Sequence, residues 1–168
     1  MKKIVLGLLM IGTLFGQVNS VLTISPTTSE TILGNQSLAF RNPAINNLNE
    51  DTLTHLSFSN VKWLGNIVDD MGFNYVGVKR GKLDYSLLYF NYGEQKFADE
   101  SGFVQGNFTP STLVVGRSWG TSLPKGHIGV TGKVINHTLH TEDINGAILD
   151  IGYYLDTKLF EFDASISN

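Results

Sequence analysis

From Gly146 onward, hydrophobic and polar side chains alternate with a period of two. Ala147, Leu149, Ile151, Tyr153 and Leu155 fall on one face of an extended segment, and Gly146, Ile148, Asp150, Gly152 and Tyr154 on the other. Beyond a tight turn at Asp156 and Thr157, a second segment puts Phe160, Phe162, Ala164 and Ile166 on one face and Glu161, Asp163, Ser165 and Ser167 on the other. Such a period predicts strands with one apolar and one polar face. About 9 to 11 tilted residues is the length a strand needs to cross a bilayer, whereas strands of soluble domains are usually about five or six residues long. The hairpin therefore points to an antiparallel transmembrane β-barrel.

The same pattern predicts seven strands, at 52–60, 67–78, 82–92, 109–119, 126–136, 145–155 and 158–167. One face collects Leu56 and Phe58, Met71, Phe73 and Tyr75, Leu83, Tyr85, Leu87 and Tyr89, Leu113, Val115 and Trp119, and Ile128, Val130 and Val134. Together with Leu149, Ile151, Tyr153, Phe160, Phe162 and Ile166 these form the expected lipid face. The opposite face collects His55, Ser57, Asn74, Asp84, Ser86, Ser118, Thr131, Lys133, Asp150, Glu161 and Asp163, as an aqueous lumen requires. The connections alternate in length, with short turns at Lys79-Arg80-Gly81 and Asp156-Thr157 and longer loops at 93–108 and 137–144. Short periplasmic turns and longer outward loops are the barrel arrangement. Trp63, Tyr75, Tyr89, Tyr92, Trp119, Tyr153 and Tyr154 lie near strand ends, where interfacial girdles form. Arg117 departs from the pattern: it points outward unless a bulge shifts its strand by one residue.

Ahead of the strands, Lys2 and Lys3, the apolar run from Ile4 to Phe15 and the small residues around Ser20 make residues 1–20 a cleavable export signal. Residues 21–50 are rich in Thr, Ser and Asn, with one helical turn expected around Leu33–Phe40, and form an irregular lead-in or plug. Residues 51–168 carry the barrel strands. Without Lys2 and Lys3 the chain holds ten basic residues against fifteen acidic ones, which argues against nucleic acid as a partner. There is no cysteine, so no disulfide framework supports the sheet.

Little in the chain suggests catalysis. His137 and His140, followed by Glu142 and Asp143, have the composition of a metal loop but lack a third spaced ligand. His55 and Asp84 share the polar face and read as lining. No nucleophile elbow, phosphate-cradling loop or zinc-protease motif occurs, so neither an enzyme nor a cofactor is expected.

Four segments carry a family likeness. Asn42-Pro43-Ala44 resembles the "NPA" box of the PorV/PorQ family of outer-membrane barrels. The series Tyr92-Gly93-Glu94, Asp99-Glu100-Ser101-Gly102 and Gly106-Asn107-Phe108 is similar to that family's long loop, leaning to the PorQ branch. The strand around Gly132 and Lys133 and the strand containing Asp150 and Gly152 resemble two further family strands. A Gly-rich stretch that the family carries before its box is reduced here to Ile32-Leu33-Gly34-Asn35. The resemblance implies a FadL-like barrel of about fourteen strands, associated with type IX secretion, with outer-membrane lipid and secretion-system proteins or secreted substrates as partners. On that count residues up to Asn168 supply the front half, and the seventh strand is expected to pair with further sequence. Two other readings stay open: a FadL-like channel for small hydrophobic compounds, and a soluble periplasmic or surface β-sandwich that binds a ligand.

Overall fold

The computed structural model describes residues 42–47, 53–62, 70–140, 142–156 and 161–166. The export signal, the lead-in up to 41 with its helical turn, Trp63 and Phe160 lie outside the described residues. Among the described residues nine strands follow a 3-10 turn at Pro43–Asn47: β1 (Thr54–Lys62), β2 (Gly72–Arg80), β3 (Leu83–Asn91), β4 (Gln95–Ala98), β5 (Val104–Phe108), β6 (Ser111–Leu123), β7 (Gly126–Leu139), β8 (Glu142–Asp156) and β9 (Glu161–Ile166). Seven of them form one sheet in the order β1-β2-β3-β6-β7-β8-β9, and β4 and β5 form a separate hairpin. Every pairing is antiparallel between neighbours in that order. The sheet is open, with β1 and β9 at its edges.

The all-β meander agrees with the expected strands, with three corrections. The first concerns the loop at 137–144. Strand pairing runs to Leu139↔Glu142, so β7 and β8 together take in all but 140–141, and His140 lies in the left-handed region at φ 54°. Polar residues there pair across strands instead of forming a loop: Thr138 donates to Asp143 at 2.7 Å and Asn136 to Asn145 at 2.9 Å. The second is the long loop at 93–108, which contains the β4–β5 hairpin.

The third is the phase of β2. The sequence pattern puts Met71, Phe73 and Tyr75 on the lipid face, and Asn74 on the polar one. Register reverses this. Tyr75 pairs with Leu88, which pairs with Val114, which pairs with Ile135; Phe73 pairs with Phe90, which pairs with Thr112. These residues are buried on the inner face and make the core, with Phe73 and Phe90 stacked at 6.4 Å. Asn74 faces outward, where it meets Asn60 at 2.5 Å and lies opposite Tyr89. The outward apolar residues of β2 are Val76 and Val78, in register with Phe58 and Leu56. The inner face is thus apolar at the end near the β4–β5 hairpin and polar further along, rather than polar throughout.

Candidate membrane face and interior site

The outer face is built from one register set. Phe58, Val76, Leu87, Val115, Val134 and Ala147 share a row, and Leu56, Val78, Tyr85, Arg117, Gly132 and Leu149 share the next. Its large apolar members are open to the surroundings: Phe58 is 71% exposed, Val134 61% and Leu149 57%. Ile151, Phe162 and Ile166 are exposed as well, which puts the sequence-predicted outward residues of β8 and β9 on this same face. These residues adjoin one another across neighbouring strands, unlike the scattered single apolar residues of ordinary soluble surfaces.

This apolar band crosses the sheet obliquely. It is centred at Ser57 on β1, whose register partner on β8 is Ile148, but on β8 its large residues centre near Gly152. A drift of about four residues is about 14 Å along the strands, against about 24 Å across five strand spacings, a slant of about 30°. Barrel strands tilt by a similar angle to the barrel axis, so a band level with a membrane must cross their hydrogen-bond rows obliquely. On the side of the hairpin, one register row carries Asn60 and Asn74 at one end and Asn136 and Asn145 at the other, with Tyr89 and Leu113 between them.

Alternation sends the partners of these residues inward. His55, Lys79, Asp84, Ser118, Thr131 and Asp150 occupy one row across six strands. Predicted lining residues therefore do come together. Lys133 and Asp150 are both buried, 4% and 0% exposed, and their Nζ and Oδ2 atoms lie 2.5 Å apart. Thr131 donates to Ser118 at 2.7 Å beside them. Gly116 faces Lys133 in register and keeps the space there open: an added Cβ would crowd Ser86 Oγ and touch the Lys133 stem. Glu161 and Asp163 hold register positions opposite Asp156 and Tyr154, and their side chains lie outside the described residues.

Further along the inner face, Gly120, Gly129 and Gly152 are register partners across β6, β7 and β8. This glycine row is a groove, and the Asn42-Pro43-Ala44 turn lies in it. A Cβ on Gly129 would collide with the Pro43 carbonyl, and one on Gly152 with Asn42 Oδ1. Asn42 turns its oxygen to the Ala44 amide at 2.9 Å and donates from Nδ2 to the carbonyls of Tyr153 at 3.3 Å and Ala164 at 3.5 Å. The box and the glycine of the β8 motif are therefore two halves of one contact, although they stand about a hundred residues apart. Gly132, the other motif glycine, faces outward, and a Cβ added there would meet no atom within 4 Å. The joint role of Gly120 and Gly129 escapes the sequence, because it appears only once strand register is known.

His137 and His140 do not converge. His137 faces inward, with Nδ1 2.8 Å from Thr112 Oγ1 and its ring edge-on to Tyr92. His140 lies between Phe97 and Phe108, with ring centroids 4.6 Å and 5.0 Å away, and so ties the β4–β5 hairpin to the β7–β8 turn. Among the described residues no three His, Cys, Asp or Glu side chains gather at metal-binding distance. At the hairpin tip Asp99 accepts from the amides of Phe103 and Ser101 and from Gln105, and these bonds, the Phe103 amide first, hold its carboxyl below the usual aspartate range.

Comparison with protein-family models, curated proteins and solved structures found no match.

The interior makes two outcomes measurable. Gly129→Ala or Gly152→Ala displaces the Asn42-Pro43-Ala44 turn and costs about 1–3 kcal/mol of stability through overpacking. Gly132→Ala, on the open outer face, costs nothing measurable. Urea unfolding of the detergent-solubilised variants checks this, and equal losses at all three glycines would contradict the groove. Lys133→Met removes the cation beside a buried carboxylate and destabilises by about 3–5 kcal/mol, while the double variant with Asp150→Leu regains most of the loss. A double-mutant cycle in the same unfolding assay measures the coupling.

Proposed function

We propose that this chain forms part of the wall of an outer-membrane β-barrel of the PorV/PorQ type, and that it serves protein secretion without catalysing a reaction. The observation that carries the membrane reading is the oblique band of exposed apolar residues, from Leu56 and Phe58 on β1 to Phe162 and Ile166 on β9. Exposed to water, that face would be a large aggregation surface; against hydrocarbon it is satisfied. Strands β6, β7 and β8, of 13, 14 and 15 residues, exceed the roughly 9–11 that a tilted strand needs to span. A soluble sandwich would need a second sheet across the face, and the described residues supply only the small β4–β5 hairpin beside the main sheet.

The secretion role rests on the motif resemblance, to which the docking of Asn42-Pro43-Ala44 against Gly152 lends support, since it gives two of those motifs a common physical purpose. In this role the loop end, with its hairpin fixed by His140, meets protein partners. A FadL-like channel has one observation in its favour, the inward aromatic cluster of Phe73, Tyr75 and Phe90. Its full burial fits packing better than an open ligand path.

The test is fractionation of cells expressing the full chain. The expected result is recovery in the outer-membrane fraction, resistance to an alkaline wash, release by detergent and co-purification with secretion proteins. Recovery from the soluble periplasm without detergent contradicts the membrane reading. Membrane recovery with uptake of fatty acid and no protein partner transfers support to the channel.

A further inference from the structure

Arg117 stands at mid-height on the apolar face, with no shift in the β6 register to turn it away. It is the seventh of the thirteen residues of β6. The axis of the slanted band crosses that strand between Gly116, in register with Ser57, and Gly120, in register with Gly152. Outward positions continue on both sides of it, Leu113 and Val115 towards the hairpin and Trp119, Thr121 and Leu123 towards the short turns, and Val115, Trp119 and Leu123 are exposed. Six residues of strand, about 20 Å, separate it from either end of β6. A stem of three methylenes does not carry its charge over that distance to a headgroup. The exposed guanidinium therefore lies among hydrocarbon, where a lone arginine on a barrel wall is most costly.

Its own chain does not answer that charge. Arg117 lies over the Tyr85 ring, 5.4 Å from the centroid, and an aromatic face attracts a cation without carrying net charge. Its register partners are Tyr85 on β3 and Gly132 on β7, and the adjoining outward positions on those strands are Leu83, Leu87, Val130 and Val134. None of these is acidic, and among the described residues no carboxylate pairs with it. Among the described residues of the seven strands the outward carboxylate is Asp143. It lies three outward positions along β8 from Leu149, which shares the row of Arg117, and it accepts from Thr138. A second copy turned about the membrane normal keeps every residue at its own depth, so its Asp143 would not reach Arg117 either. Lipid phosphates stay at the membrane surfaces, and small anions stay in water. The occupant that fits is a carboxylate held at mid-depth by a spanning segment of another protein, since acidic side chains persist there by pairing. Gly132 gives such a segment room beside the guanidinium: an added Cβ would meet no atom within 4 Å, and small residues let two membrane segments approach closely.

We propose that the outward face around Arg117 and Gly132 is the docking surface for a membrane-spanning segment of another protein, whose mid-depth aspartate or glutamate pairs with Arg117. This rests on the membrane reading above. The test uses the full chain in phosphatidylcholine vesicles with a synthetic spanning peptide of polyleucine that carries one central glutamate, and the same peptide with glutamine in its place. Trp119 stands two residues from Arg117, so energy transfer from tryptophan to a dansyl group on the peptide reads association. The expected result is that the wild type binds the glutamate peptide about tenfold more tightly than the glutamine peptide, the gain of one charge-assisted contact. Arg117→Gln abolishes that preference, and Gly132→Leu weakens binding of the glutamate peptide while leaving the charge in place. Equal binding of the two peptides by inserted wild type overturns this proposal and leaves the membrane reading standing. A preference that survives Arg117→Gln overturns the assignment to Arg117. Failure of the wild type to insert into vesicles overturns both this and the membrane reading.

Discussion

The structure depends on one constraint: side-chain parity must be conserved across seven strands in register. In a pleated strand, neighbours point to opposite faces, and a slip of one residue would invert a whole strand. Here the pairing is continuous from Thr54↔Arg80 at one edge to Ile151↔Ile166 at the other. Each outward row therefore adds its apolar residues to a common band, and each inward row adds its polar or aromatic residues to a common interior. The exposed band and the buried Lys133–Asp150 pair are two results of the same registration.

The interior needs more than parity. A face lined by side chains leaves no room for an extra segment, and the Gly120-Gly129-Gly152 row makes that room across three strands. Asn42 fills it with a polar head that satisfies its own turn and reaches carbonyls on both β8 and β9. The turn thus fastens two strands of the sheet besides covering them. Nearby, the ion pair and the Thr131–Ser118 bond satisfy polar groups that are shielded from water, which a polar row needs once it is buried.

Much of this is legible in the sequence because the band is made of simple alternation. On β3, β6, β7 and β8 the apolar set of the outer face is uninterrupted except at Arg117 and Gly132, so the faces can be assigned without a partner strand. On β2 they cannot. There the inner face is aromatic at Phe73 and Tyr75 while the outer face is apolar at Val76 and Val78, so the apolar parity changes midway along the strand. Pattern alone follows the larger residues and chooses the wrong phase. Residues 137–144 mislead for another reason: cross-strand Asn–Asn and Thr–Asp pairs look like loop composition when seen along one chain. The glycine groove is a property of register, which no single strand reveals.

The central claim is that the outward rows face hydrocarbon while the inward rows do not. The chain contains no cysteine, so single cysteines can be introduced and spin-labelled one at a time without background labelling. The decisive measurement is the accessibility of labels at Leu87, Val115, Val134 and Leu149, and at the inward positions Ser86, Ser118 and Thr131, to oxygen and to a water-soluble nickel chelate in reconstituted vesicles. High oxygen and low nickel accessibility is expected at the first four positions and not at the other three, alternating with residue parity. Strong nickel accessibility at Val134 and Leu149, equal to that of a solvent-exposed turn, would contradict it.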